Sequence, residues 1–247
     1  MFYLICEEDR KMKIMYWSDY ACPYCYIGET YLKQAIRNLG MEDQIEVEMK
    51  AFELDPDASK EYTGRTVDRF AKKYALSLQE AQSRIDGISL MGRNAGLEFN
   101  YAETRYTNTV DAHRLTKLAQ QSEDKGQADR LSERLYKAYF AEGLELSNHN
   151  VLLRIAREEG MDEGSVKSLL AGDAYAMEVR QDERDAARLG VMGVPHFVLN
   201  GQMVIPGALP PEQMQRVICE AVEAEQRSQA YGMTCGPDGC RIAGHQA

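Results

Sequence analysis

K-I-M-Y-W-S-D-Y-A-C-P-Y-C-Y-I-G, residues 13–28, is the stretch on which the fold turns. Its first six residues, Lys13–Ser18, are apolar and aromatic over a short run, the pattern of a strand. D-Y-A-C-P is turn-like. From Tyr24 to Leu39 apolar residues recur at intervals of three and four, at Ile27, Tyr31, Leu32, Ala35, Ile36 and Leu39. That spacing predicts a helix with one buried face, ended by Gly40. Cys22 and Cys25 therefore fall where a strand passes into a helix, the context that makes a C-x-x-C read as a redox pair. Unpaired N–H groups and the positive end of the helix dipole stabilise a thiolate at Cys22. Two intervening residues set Cys25 one turn along, where it can attack a mixed disulfide formed by Cys22. Pro23 suits the first turn, where its missing N–H costs nothing. Cys25 is expected to be buried and less reactive. The competing readings are a half zinc site, with Cys235 and Cys240 the only candidates to complete it, and two inert core cysteines. The redox reading is preferred, and no metal is expected.

Working outward, Ile45–Phe52 alternates apolar and polar as a strand does, and L-D-P-D-A-S is a loop. From residue 61 to 189 the pattern is helical throughout. The pieces are 65–76, 78–93, 107–122, 126–141, 148–159, 162–171 and 173–189. Stops fall at Gly96, Gly126, Gly143, Gly160 and Gly172, and Asn148 and Asp162 serve as N-caps. Strands return at Pro195–Leu199 and Met203–Ile205, joined by Asn200-Gly201, the strongest short hairpin signal. A last helix, Pro210–Gln229, opens on prolines. The order strand, helix, strand, helices, hairpin, helix defines an α/β core interrupted by an all-helical insertion. The expected organisation is a tail at 1–11, a discontinuous core at 12–60 and 173–230, the insertion at 61–172, and a Gly-rich, flexible tail at 231–247.

The net charge of −10 over 247 residues repels phosphate backbones, so nucleic acid is not an expected partner. No apolar run approaches the roughly 18 residues that span a bilayer, so no membrane partner is expected. M-F-Y-L-I-C at the start is short, lacks a preceding basic region and leads into Glu7, Glu8 and Asp9, a poor secretory signal. Six cysteines without such a signal point to a reducing compartment, where paired thiols mean catalysis or metal rather than a framework. A cytoplasmic location is expected.

Further motifs make a family visible: W-S-D-Y-A-C-P-Y-C-Y-I-G (17–28), F-E-L-D-P (52–56), N-T-V-D-A-H-R-L (108–115), A-Y-F-A-E-G (138–143), L-G-V-M-G-V-P-H-F-V-L-N (189–200) and I-P-G-A (205–208). Over about Met12–Ser228 the chain resembles the DsbA-type thioredoxin family, in its FrnE-like branch of bacterial cytoplasmic disulfide oxidoreductases. The resemblance implies a thioredoxin-like core with an inserted helical domain, a nucleophilic Cys22, a resolving Cys25, and a cis Pro195 facing the pair. In that setting the Val194 backbone is positioned to pair with a substrate segment by strand addition. Without it, Pro195 would read as an ordinary proline at a strand start. The implied activity is that of a protein thiol–disulfide oxidoreductase or isomerase. Its partners would be polypeptide or small-molecule thiols and disulfides. The same superfamily holds 2-hydroxychromene-2-carboxylate isomerases, which bind glutathione and typically carry serine at the first motif position. Cys22 favours dithiol chemistry, whereas Pro23-Tyr24 is the dipeptide found in glutaredoxins. A glutathione-dependent isomerase or transferase is thus the alternative, and a non-enzymatic holdase a third reading. No tightly bound cofactor is expected, glutathione serving as redox partner or co-substrate. The oligomeric state is open.

Weaker candidates surround this centre. Cys235-Gly-Pro-Asp-Gly-Cys240 is strong turn chemistry and reads as a second redox pair, an idle tail, or a metal site with His245. His196 stands beside Pro195, where an imidazolium would favour the Cys22 thiolate, unless strand alternation turns it elsewhere. His113 and Arg114 read as a bridge between insertion and core, and Asn108 as a cap or turn residue. Trp17, Tyr20, Tyr24 and Tyr26 form either an apolar rim or buried packing. Cys219 is expected to be half-buried and inert, and Cys6 has no assigned role.

Overall fold

The computed structural model describes residues 11–230, 233–236 and 239–242. Strand β1 (Met12–Ser18) turns into helix α1 (Pro23–Leu39), and the chain returns as β2 (Ile45–Ala51). The helices α2 (Thr66–Tyr74) and α3 (Leu78–Asn94), a 3-10 turn at Tyr101–Glu103, then α4 (Val110–Ala119), α5 (Gln127–Phe140), α6 (His149–Glu158) and α7 (Glu163–Ala171) follow. Helix α8 (Ala176–Arg188) leads to the hairpin β3 (His196–Leu199) and β4 (Met203–Pro206), and then to α9 (Pro211–Ala230). A separate two-stranded ribbon, β5 (Met233–Gly236) and β6 (Gly239–Ile242), ends the described chain.

The main sheet has the order β2-β1-β3-β4. β1 and β2 are parallel, so their connection must cross over, and α1 makes that crossing. β3 runs antiparallel to both β1 and β4. The sheet is covered on both faces, which is why Lys13–Ser18 reads as an apolar run rather than a clean alternation. Ile14 and Tyr16 enter the main core with residues of α1 and α9. Trp17 points the other way, joining Val198, Ala186 and Val191 in a smaller core beneath α8. Its Nε1–H donates to the Asp182 carbonyl at 2.8 Å. The inserted helices join the core through aromatic packing: Tyr26 of α1 stacks on Tyr136 of α5, ring centroids 4.8 Å apart.

Local signals explain most boundaries. Gly40 ends α1 in the left-handed region, φ 63°. Asn148 and Asp162 cap α6 and α7 with side-chain oxygens that accept from Asn150 N–H and Ser165 N–H. Gly126 corrects the reading: it is not a helix stop but the N-cap of α5. α4 has already ended at Ala119, and Asp124 Oδ1 accepts the Gly126 N–H within the intervening turn. In the C-terminal tail Met233–Gly236 pairs antiparallel with Gly239–Ile242, with Cys235 opposite Cys240. Residues 1–10 with Cys6, and 243–247 with His245, lie outside the described residues. No described helix is long and apolar enough to cross a membrane.

Candidate active site

The turn between β1 and α1 is built on Asp19. Its carbonyl accepts the Cys22 N–H at 3.0 Å. Its buried carboxylate accepts the N–H of Ala21 at 3.1 Å and of Leu54 at 2.7 Å, tying the turn to the loop after β2. Cys22 is thereby held as the N-cap of α1, with extended backbone (φ −91°, ψ 115°) and Pro23 opening the helix. The Cys22 thiol donates toward the Val194 carbonyl, 3.6 Å away. Val194–Pro195 is a cis peptide bond. The loop that carries it is fastened to the end of β4, where the Gly207 N–H donates to the Pro195 carbonyl at 2.8 Å. Gly28 on α1 makes the approach possible: a Cβ there would meet Pro195 Cγ at 2.9 Å.

Cys22 is only 4% exposed and Cys25 is fully buried. Burial pushes the Cys25 thiol well above its usual pKa, and a hydrogen bond and charge from Cys22 add to the rise. Hydrogen bonds from the Ser18 side chain and the Asp19 backbone act in the opposite direction. The two cysteines thus differ in access: one at the helix mouth, one beneath it. Of the four aromatics flanking them only Tyr24 is exposed, at 41%, whereas Trp17, Tyr20 and Tyr26 are buried packing.

His196 is not a cation beside Cys22. It stands opposite Trp17 across the β1–β3 pair and meets it edge-on, ring centroids 6.3 Å apart. Residues opposite one another in a sheet share a face, and here that is the α8 face, away from α1. Burial lowers its pKa, so the neutral ring dominates at pH 7. His113 is buried against Tyr20, its Nε2 3.6 Å from Asp19 Oδ1 and without a hydrogen-bond partner among the described residues. Arg114 donates to the carbonyls of Leu169, Gly172 and Ala174 and pairs with Asp111 at 2.7 Å, anchoring α4 to the segment that leads into α8. Asn108 closes a turn by accepting the Val110 N–H and donates to Glu53 and the Pro56 carbonyl. Cys219 is exposed, not half-buried, because it lies off the Met214/Ile218/Ala221 stripe that α9 buries.

Two clefts lie near the pair. An open groove of about 360 Å³ is lined by Met192, Val194, Pro195, His196 and Pro206, with Met192 almost wholly exposed. The other, about 440 Å³, is lined by Leu54, Asp55, Arg69, Lys72, Lys73 and Tyr106. Arg69 lies 3.7 Å over the Tyr106 ring, and the Leu54 N–H on the Asp19 carboxylate ties this cleft's wall to the turn that holds Cys22. Sequence reading missed Ser18, Tyr136 and Arg69. The first two carry no motif of their own, and the cationic wall arises only when α2 meets the loop after β2.

A four-stranded mixed sheet between α1/α9 and α8, with a C-x-x-C at the mouth of the first helix opposite a cis proline, is a thioredoxin-like fold. The model of the DSBA-like thioredoxin domain matches residues 13–218, and the chain belongs to that family. It is similar to a probable DsbA oxidoreductase of Streptomyces coelicolor, with 33% identity, 94% of this chain and all of that one covered, and a TM-score of 0.81. An uncharacterized Bacillus subtilis protein, YwbO, is 27% identical over 212 residues, covering 84% of this chain and 96% of its own. The cytosolic disulfide reductase DsbM of Pseudomonas aeruginosa, solved with GSH, shares the fold at 16% identity and a TM-score of 0.57, with 88% and 99% of the chains covered.

Proposed function

We propose that this protein is a cytoplasmic thiol–disulfide oxidoreductase or isomerase in which Cys22 forms a mixed disulfide that Cys25 resolves. The observation that carries the reading is the placement of Cys22 at the N-cap of α1, its sulfur on the Val194 carbonyl, with Cys25 buried one turn below. Attack by Cys22 on a substrate disulfide breaks the S–S bond and releases one substrate thiolate, which takes a proton. Cys25 then displaces the second substrate sulfur from Cys22, leaving the Cys22–Cys25 disulfide and a reduced substrate. The reverse sequence oxidises a dithiol. The groove beside Pro195, with its exposed Met192, suits an extended polypeptide lying against Val194 and Pro195. Cys235 and Cys240, opposite one another in the terminal ribbon, are proposed as a second pair that exchanges with the first. The cytoplasmic assignment rests on the cysteine usage and on the fold shared with the cytosolic DsbM.

The test is trapping. Cys25→Ser is expected to accumulate a mixed disulfide on Cys22 when offered a disulfide-bearing protein, and Cys22→Ser to abolish turnover. Turnover retained by Cys22→Ser would overturn the reading.

One observation favours glutathione as the partner thiol. Arg69, Lys72 and Lys73 form no ion pair among the described residues, although the chain carries a net charge of −10. A carboxylate-bearing thiol would complete that cleft. Turnover of a small substrate that needs glutathione and survives loss of Cys25 would shift the assignment to the glutathione-dependent isomerase or transferase.

A further inference from the structure

A thiol attacks a disulfide as an anion, so a charge buried beneath the Cys22 turn bears on the step. Asp19 is such a charge. Its buried carboxylate accepts the N–H of Ala21 and of Leu54, and its carbonyl accepts the Cys22 N–H. Among the described residues five carboxylates are buried: Asp19, Glu29, Glu53, Asp111 and Asp182. Four of them have a permanent cation. Lys33 stands 2.8 Å from Glu29, Arg180 2.7 Å from Glu53 and Arg114 2.7 Å from Asp111, and Lys117 pairs with Asp182. Asp19 pairs with no lysine or arginine among the described residues. Its one basic neighbour there is His113, whose Nε2 lies 3.6 Å from Asp19 Oδ1. A buried carboxylate without a counter-charge is costly, which makes that imidazole the group that answers it.

His113 is held in place by α4. It is 1% exposed, its ring lies 4.9 Å from that of Tyr20, and its Nε2 has no hydrogen-bond partner among the described residues. Thr116, three residues along the same helix, donates to the Ala112 carbonyl at 3.0 Å and so accepts the Tyr20 hydroxyl at 2.5 Å. Two buried side chains of α4 thus grip consecutive residues of the Cys22 turn. The other charged and titratable groups on the elements packed about His113 are engaged elsewhere. On α4 itself Asp111 is taken by Arg114 and by His149 of α6, and Lys117 by Asp182 of α8. Lys167 of α7 pairs with Glu163 at 2.6 Å. After β2, Glu53 is held by Arg180. From α5 the Tyr136 hydroxyl lies 2.5 Å from Ser18 Oγ, and burial pushes the Tyr139 and Tyr106 hydroxyls up, so both are uncharged at neutral pH. Arg69 of α2 stacks over Tyr106, and the Cys22 thiol points to the Val194 carbonyl.

We propose that His113 is the counter-ion of Asp19 beneath the Cys22 turn, a positioning residue through which α4 of the insertion sets the reactivity of the nucleophile. An imidazole gains and loses its proton near neutral pH, which an ammonium or guanidinium does not. The compensation is therefore adjustable. While His113 carries its proton, the Asp19 charge is answered and the turn tolerates a second anion at Cys22. Once the proton is lost, the Asp19 charge stands unopposed and resists the Cys22 thiolate. The inference rests on the reading of Cys22 as the nucleophile.

The experiment follows iodoacetamide modification of Cys22 in the reduced full chain against pH, by peptide mass spectrometry. The parent is compared with His113→Gln, His113→Asn, Asp19→Asn and the Asp19→Asn/His113→Gln double variant. Glutamine and asparagine can hydrogen-bond Asp19 but carry no charge. Each His113 variant should raise the midpoint by roughly half a unit to one pH unit and slow modification at pH 7 roughly three- to ten-fold. In the Asp19→Asn background the buried imidazole has no counter-charge and turns neutral, so His113→Gln should add nothing there. Urea denaturation is run beside it, because a His113 that only packs would lower stability and leave the midpoint in place. The unmutated protein reads the same coupling from the other side, whether or not the variants fold. With Cys22 carboxymethylated, and so negative, the His113 ring signals in nitrogen-15 spectra should titrate roughly half a unit higher than with Cys22 neutral and carbamidomethylated. Equal titration in the two adducts overturns the inference. So does an unmoved Cys22 midpoint in a folded His113 variant, or an undiminished shift in the Asp19→Asn background. Turnover of a disulfide-bearing protein retained by Cys22→Ser overturns the nucleophile reading, and the inference with it.

Discussion

Gly28→Ala isolates the contact between α1 and the Pro195 loop. A Cβ at this position would lie 2.9 Å from Pro195 Cγ and 3.3 Å from both Ala208 Cβ and Phe197 Cζ. Carbon atoms prefer about 3.5–4.0 Å, so the loop or the helix has to yield by roughly 0.5–1 Å. Overpacking of this kind costs about 1–3 kcal/mol. Alanine is the better helix former by about 1 kcal/mol, which offsets part of that. The net expectation is a loss of roughly 0–2 kcal/mol. Gly87→Ala supplies the reference. It lies in the interior of α3, and a Cβ there would meet nothing within 4 Å, so it should gain about 0.5–1 kcal/mol. Urea denaturation of both variants in the reduced state, at equal slope, measures the difference. The same displacement falls on the Val194 carbonyl that holds the Cys22 thiol. A 1 Å misplacement can cost about 100-fold in a positioned reaction, so Gly28→Ala should slow disulfide exchange roughly tenfold, and Gly87→Ala not at all. If Gly28→Ala stabilises the protein as much as Gly87→Ala and leaves exchange unchanged, the close approach of α1 to Pro195 is not what positions the site.

Three further outcomes are expected. Hydrogen bonds from His149 and Arg114, with the charges of Lys60 and Arg114, hold Asp111 below the usual carboxylate pKa against the opposing effect of burial. A depressed carboxylate contributes stability above its unfolded pKa of about 3.9, lost as pH falls through the folded value. Asp111→Asn should therefore cost roughly 2–4 kcal/mol at pH 7 and flatten the acid limb of stability against pH, read by denaturation at stepped pH. His196→Gln should leave the pH midpoint of Cys22 alkylation in place, because His196 is already neutral at pH 7 and packs on Trp17; a shift of about half a unit or more would mean the ring is coupled to Cys22. Replacing Lys72 and Lys73 by glutamine should weaken glutathione disulfide turnover and its salt dependence while sparing an uncharged peptide disulfide, and equal loss on both substrates would remove the cleft from substrate recognition.

Much of this molecule is written in short-range pattern. The apolar run Lys13–Ser18, the three-four spacing after Tyr24, the alternation at Ile45–Phe52 and Asn200-Gly201 between apolar runs are all local, and the elements form where those patterns lie. Each reports one chain's periodicity against one buried surface, so no distant contact is needed to read it. The junction at Cys22–Cys25 was legible for the same reason. Gly126 misled because a glycine marks a helix end from either side, and only the Asp124 side chain decides which.

The rest is decided between segments far apart in sequence. That His196 faces Trp17 follows from the register of β3 on β1, a pairing across 179 residues that the strand's own alternation leaves undetermined. That Ser18 meets Tyr136 of α5, and Tyr136 stacks on Tyr26, depends on how the inserted helices settle on α1. Sequence therefore determined the elements and which sulfur stands at the helix mouth. Tertiary structure decided which hydroxyls, carbonyls and cations surround it, because side-chain chemistry at a site is set by the packing of elements whose local codes are independent of one another.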